Sequence, residues 1–327
     1  MFPSKINLSY LNTPITKLES ISKVLNKNIY IKHDEMTGME LSGNKIRKLE
    51  YSLKEALDFG ANVIITCGAI QSNHARATVV ASRKLGLEVH LVLRGEEPEQ
   101  YFGNLLINKI MGAKMSFLDD QSFLEHQEYM NSLKSQYESL GKKAYIIPIG
   151  ASNGIGNFGY YNAYQEILKQ ESEMNIEFDT IVCTVGSVGT YSGLYLGNHF
   201  NSYNKKIIGY SVGGSSKYFK ERSIEILNES FFKIENVSSQ DFVLEDHFII
   251  NDMYQGEGYA KTSFEDIKFI EYIAQTEGII FDPVYTGKAF KGLYSQIEKN
   301  ELQDSMNILF IHTGGFFGIE SFEKWFR

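Results

Sequence analysis

Cysteine is scarce in this chain of 327 residues: there are two, Cys67 and Cys183. Two thiols cannot build a disulfide framework, and they fit a reducing compartment. No apolar run reaches the roughly 18 residues of a transmembrane helix. The N-terminal stretch MFPSKINLSYLNTPITKLE lacks the apolar centre of a signal peptide. Positive charge is also short. Lys and Arg total 32 against 40 Asp and Glu, a net of −8, so binding along nucleic-acid phosphates has no broad electrostatic support. There is no low-complexity tract and no fixed-period repeat. These absences predict a cytoplasmic protein with no membrane, nucleic-acid or metal partner. What is present is ordinary for a folded chain, 43% hydrophobic and 22% charged residues. The length suits two domains or one large α/β domain, because a single core stops growing near this size.

The strongest local pattern is an apolar strand running into a glycine turn and then a helix. Val63 to Cys67 is β-branched and leads through Gly68-Ala69-Ile70-Gln71 to Ser72-Asn73, which caps a helix from His74 to Leu85 that Gly86 ends. A strand from Glu88 to Leu93 follows. The pattern returns at Asp179 to Thr184, then Gly186-Ser187-Val188-Gly189-Thr190, then a helix near Tyr191 to Leu196. Lys206 to Val212 and Asn307 to His312 are further strands, each ended by glycines. Such alternation predicts parallel sheets with flanking helices. Gly150 to Gly159 holds four glycines, more than an element interior tolerates, and reads as a crossover between lobes. Residues 215–250 are mixed in pattern and yield little.

Three helix starts are candidate anion sites, since free N–H groups and the helix dipole meet there. The 186–190 turn offers glycines for close backbone approach plus the hydroxyls of Ser187 and Thr190, which suits a phosphate. It is neither a Walker loop nor a full Rossmann fingerprint: the spacing is Gly-x-x-Gly, and no acid closes the next strand. Gln71-Ser72-Asn73-His74 is small and polar and suits a carboxylate, although Ser72 also fits a plain helix cap. Ser42-Gly43-Asn44 opens a helix running to about Gly60, with Lys45, Arg47 and Lys48 near its start. Cations there oppose the dipole. A lysine beside Arg47 and the free N–H groups is expected to have a lowered pKa and to serve as nucleophile or base. Pattern does not choose between Lys45 and Lys48.

Together these segments resemble the pyridoxal-phosphate enzymes of the D-cysteine desulfhydrase and 1-aminocyclopropane-1-carboxylate deaminase group. Ser42 to Glu50 is similar to the family's Gly-Asn-Lys-x-Arg-Lys-Leu-Glu segment, whose first lysine is joined to the cofactor, which points to Lys45. Gly68 to His74 resembles the substrate-carboxylate loop, and Gly186 to Thr190 the cofactor-phosphate loop. Asp282 to Ala289 and His312-Thr313-Gly314-Gly315 resemble two C-terminal motifs. Five ordered motifs cover nearly the whole chain. The resemblance implies a two-domain α/β fold of the tryptophan-synthase-β type (fold type II). Its small domain spans 49–155, and its large cofactor-binding domain 1–48 and 156–327. It also implies a homodimer and an amino-acid substrate.

For the site, the resemblance implies that Lys45, Asn44, Gly186, Ser187, Val188, Gly189, Thr190, Thr286, Thr313 and Gly314 hold the cofactor. Gln71, Ser72, Asn73 and His74 would bind substrate; Lys45, Ser72, Tyr259 and Tyr285 would be catalytic. The deaminases place a glutamate after the first tyrosine, against the pyridine nitrogen, where this chain has Thr286. A hydroxyl cannot balance a pyridinium charge. The weaker electron sink still suffices to expel a thiolate, so Thr286 favours a lyase acting on D-cysteine in amino-acid metabolism over cyclopropane opening. The chain departs from the usual pattern at His33, Ala260 and Phe316-Phe317. The readings set against this one are 1-aminocyclopropane-1-carboxylate deaminase and, from another class, a nicotinamide-dependent oxidoreductase.

Overall fold

A computed structural model describes residues 1–235 and 247–325. Two sheets organise the chain. The four-stranded sheet has the order β5-β4-β3-β6, from β3 (Val63–Ala69), β4 (Glu88–Arg94), β5 (Lys114–Leu118) and β6 (Ala144–Ile146), and all its pairs are parallel. The six-stranded sheet has the order β1-β2-β10-β7-β8-β9. Its strands are β1 (Ile15–Lys17), β2 (Asn28–Lys32), β7 (Thr180–Val185), β8 (Lys206–Ser211), β9 (Ile249–Asn251) and β10 (Asn307–Ile311). Its pairs are parallel except at one edge, where β1 runs antiparallel to β2.

Both sheets are covered on both faces, and the period-2 alternation of strand side chains shows how. In β7, Ile181, Cys183 and Val185 enter one core and Val182 the opposite one. In β10, Leu309 and Ile311 go one way, Ile308 and Phe310 the other. In β3, Ile64 faces one core while Val63, Ile65 and Cys67 face the next. Helices α6 (Phe158–Met174), α7 (Gly189–His199) and α8 (Ser216–Phe231) cover one face of the large sheet. The other face takes α1 (Glu19–Leu25), α9 (Phe264–Glu277) and α10 (Thr286–Glu298). The small sheet carries α2 (Lys45–Phe59), α3 (Asn73–Lys84) and α4 (Gly103–Ile110) on one face and α5 (His126–Ser139) on the other.

Helix α2 lies between the two systems: Leu49, Leu53 and Ala56 belong to the small-sheet core and Tyr51 to the large-sheet core. It is anchored by a buried ion network. Arg47 Nε donates to Asp34 Oδ2 at 2.9 Å and its NH1 to Glu166 Oε2 at 2.8 Å, while Lys32 Nζ donates to Glu166 Oε1 at 2.5 Å. Burial alone would raise Asp34 and Glu166, but Arg47 and Lys32 outweigh it and hold both below the usual carboxylate range.

Two expectations change. The 150–159 segment is only partly a loop, because α6 begins at Phe158 and takes Gly159 into its first turn. Glycine is needed there for close packing: a Cβ would come within 2.5 Å of the Arg47 carbonyl group on α2. Of residues 215–250, α8 and the start of β9 account for half, and 236–246 lie outside the described residues. Among the described residues no helix is long and apolar enough to cross a membrane.

Candidate active site

Four chain segments meet at the carboxyl ends of strands from both sheets, where parallel α/β folds bind ligands. After β3 comes the turn into α3; after β7, the glycine turn into α7; after β10, Thr313-Gly314; and the loop after β2 ends at Lys45. They surround an inner cavity of about 120 Å³. Lys45 reaches it from the first turn of α2. Its Nζ donates to Asn44 Oδ1 at 3.1 Å, and Asn44 Nδ2 donates to Thr190 Oγ1 at 2.9 Å. The Asn44 amide donates to the Thr313 carbonyl at 3.2 Å, which fixes the β10 loop against the lysine. Burial pulls the Lys45 ammonium down to about 8, against the opposing pull of Asp282.

Lys48 occupies a different place. It is buried behind the glycine turn: Nζ lies 3.0 Å from where a Cβ on Gly189 would stand, and it donates to Ser152 Oγ at 3.2 Å. Ser152 in turn donates to Ser187 Oγ at 2.9 Å. Among the described residues no carboxylate pairs with Lys48, and burial, then the charge of Lys45, lowers its pKa well below the ordinary value. Val188 caps α7 at φ 67°, a strained conformation for a β-branched residue. The third cation, Arg47, is spent in the ion network, so burial and not Arg47 depresses Lys45.

On the opposite wall, Ser72 caps α3 by accepting from the Ala75 amide at 3.1 Å. The amides of Asn73 and His74 belong to the first helical turn, which has no intrahelical acceptors. His74 is held by Thr66 Oγ1 at 2.8 Å, and burial plus the two lysine charges keep its ring neutral. Tyr259 and Tyr285 close the cavity with their hydroxyls 2.6 Å apart. Burial raises both phenols above the ordinary tyrosine value.

The expected residues therefore converge, with three exceptions. Gln71 is turned away: it accepts from the Asn104 amide at 2.9 Å, donates to the Phe102 carbonyl at 3.1 Å, and lines an outer cavity instead. Gly189 lies under the turn and not on the wall. Thr286 is buried at the start of α10, where its hydroxyl donates to Asp282 Oδ1 at 2.7 Å and accepts from the Asp282 amide at 2.9 Å. It does not line the inner cavity; Thr313 does.

Two contributors carried no sequence signal of their own, Thr184 and Arg76; Lys48 was marked beside Lys45 but without a place in the site. Thr184 lines the cavity with a buried hydroxyl that has no hydrogen-bond partner among the described residues. Arg76 holds the loop before Lys45 through the carbonyls of Glu40 and Ser42. A buried cation without a counter-ion, a helix N-terminus after a glycine turn, an orphaned hydroxyl and a depressed lysine fit a phosphorylated carbonyl cofactor. Residues 6–314 match the family described as pyridoxal-phosphate dependent enzyme. The chain belongs to that family. It is therefore a pyridoxal-phosphate enzyme, and the nicotinamide alternative falls away.

Among these pyridoxal-phosphate enzymes it is 42% identical to a putative 1-aminocyclopropane-1-carboxylate deaminase of Thermotoga maritima, over 96% of this chain and 97% of that one. It is 38% identical to a bifunctional mitochondrial D-cysteine desulfhydrase/1-aminocyclopropane-1-carboxylate deaminase of Arabidopsis thaliana, over 96% and 78%. A crystal structure of an ACC deaminase homologue superposes with a TM-score of 0.90 at 38% identity, covering 99% of this chain and 96% of that one. The chain is thus a pyridoxal-phosphate lyase of the group holding these two activities.

Proposed function

We propose that the enzyme catalyses α,β-elimination of a small D-amino acid, chiefly D-cysteine, to pyruvate, hydrogen sulfide and ammonia. The observation that carries this reading is that, among the described residues, no carboxylate lines the inner cavity. The hydroxyl-bearing wall of Thr184, Thr190 and Thr313 offers hydrogen bonds but no counter-charge for a pyridinium. Thr313, and not Thr286, presents its hydroxyl on that wall. Pyridoxal phosphate supplies, when bound, the electron sink for bonds at Cα. A shallow sink suffices to expel a thiolate and disfavours opening a cyclopropane.

The chain's own residues supply the rest. Lys48 and the first-turn amides of α7 would hold the phosphate. The amides of Asn73 and His74, with Ser72, would receive the substrate carboxylate. Lys45 Nζ, close to half-neutral at pH 8, takes the proton from Cα. Tyr285 and Tyr259 keep their protons at neutral pH, and the Tyr285 hydroxyl can donate to the departing sulfur. Water then completes the products: D-cysteine and H₂O give pyruvate, H₂S and NH₃. The relatives' names support cyclopropane deamination as the second reading. Assay with D-cysteine, L-cysteine and 1-aminocyclopropane-1-carboxylate decides between them. Sulfide and pyruvate in equal amounts from D-cysteine are expected; 2-oxobutyrate from the cyclopropane with no sulfide overturns the reading.

A further inference from the structure

Outside the tyrosine pair lies a second cavity of about 530 Å³. That volume falls within the range of about 300–1,000 Å³ that houses whole small-molecule ligands, yet the thiol of cysteine has one heavy atom to place. The two cavities share Ala69, Asn73, Tyr259 and Tyr285, so the outer one begins where a substrate's β-substituent would leave the inner one. Beyond that boundary Pro283 and Val284, which precede α10, and Phe322 and Trp325, from the 3₁₀ segment Phe316–Trp325, form an apolar and aromatic part of the wall, with the polar Gln71, Thr262 and Ser321 beside it. Exposed Lys261, Lys324 and Glu257 also line it. Asp282 reaches the wall, but its oxygens accept from the amides of Val284, Tyr285 and Thr286. The aromatic segment is seated: the Arg76 guanidinium lies 4.8 Å from the Phe317 ring centroid.

We infer that the outer chamber receives the substrate's β-substituent, so that the enzyme also splits aryl thioethers of D-cysteine. This rests on the elimination reading above. The bond changes are those of D-cysteine. Lys45 takes the Cα proton, the Cβ–S bond breaks with its electron pair going to sulfur, and the arylthiolate leaves protonated as the thiol. Water converts the remaining fragment to pyruvate and ammonia. An arylthiolate is a better leaving group than hydrosulfide, and Phe322 and Trp325 offer faces and edges for its ring.

The test uses S-phenyl-D-cysteine beside D-cysteine with the cofactor-loaded enzyme. Benzenethiol and pyruvate are expected in equal amounts. Trp325→Ala and Phe322→Ala should each lower the thioether-to-D-cysteine ratio of kcat/KM about tenfold, mainly through KM, as loss of an aromatic anchor does. Sulfide from D-cysteine with no benzenethiol from the thioether overturns the inference and leaves the elimination reading intact. Thioether cleavage with the ratio unchanged in both variants overturns the chamber as its site. Benzenethiol without sulfide supports the chamber and overturns D-cysteine as the chief substrate. Absence of both products overturns both.

Discussion

Two lysines three residues apart share one face of α2, about 60° and one turn apart, yet meet different surroundings. Lys45 meets the cavity, while Lys48 meets the back of the glycine turn. Since burial sets the Lys45 amine near 8, the neutral form that attacks a carbonyl grows with pH up to that value and saturates above it. Re-addition of pyridoxal phosphate to stripped enzyme, followed by absorbance, should therefore quicken about tenfold per pH unit below 8 and level off above. A rate flat from pH 6 to 9 would refute the assignment. Chain pattern showed that a lysine was special without showing which, because the choice depends on burial. Thr286 was misplaced for a related reason. Its position in the motif was legible, but its rotamer was decided by the chance to cap α10 with Asp282.

Among elements, α2 is the one whose position the chemistry depends on, and Arg47, Asp34, Glu166 and Lys32 hold it. Arg47→Leu strands two buried carboxylates and should cost about 3–5 kcal/mol, less whatever Lys32 retains. The pH sign follows from the lowered carboxylate pKa values. In the parent enzyme this contribution is complete above the ordinary carboxylate range and lost as pH falls through the depressed folded values. In the variant, burial is no longer outweighed at Asp34, so its charged form is disfavoured; the penalty is full at neutral pH and is relieved as pH falls, and the two curves converge on acidification. Urea midpoints across pH 3 to 7 measure both effects, and coincident curves would contradict them. Elements were legible where local backbone need and hydrophobic period agreed, as in β3–α3 and β7–α7. The amphipathic but polar α8 and the 3₁₀ segment Phe316–Trp325 were not, since tertiary contacts make them.

At the scale of the molecule, the proposed cofactor site draws residues from both sheets. Lys48 and Ser72 come with the helices of the four-stranded sheet, the 186–190 turn and Thr313 with the six-stranded one. Parallel α/β architecture was legible from strand–helix alternation; the antiparallel edge strand β1 was not, because three residues carry too little pattern. A ligand bridging both halves stabilises only the folded arrangement. Pyridoxal phosphate at 100-fold excess over its Kd should add about 2.7 kcal/mol. Calorimetry should show the stripped enzyme melting lower, and Lys48→Met gaining less from the same cofactor concentration. Equal gains would remove Lys48 from the phosphate site.

The two cysteines lie in the middles of β3 and β7, fully enclosed, and burial lifts the Cys67 thiol to about 12 and Cys183 higher still. Sulfur exchange and alkylation run through an accessible thiolate. Under the proposed elimination, a catalyst that liberates hydrosulfide at its own centre would carry no reactive thiol on its surface. On that reading, its scarcity of cysteine becomes resistance to its own product.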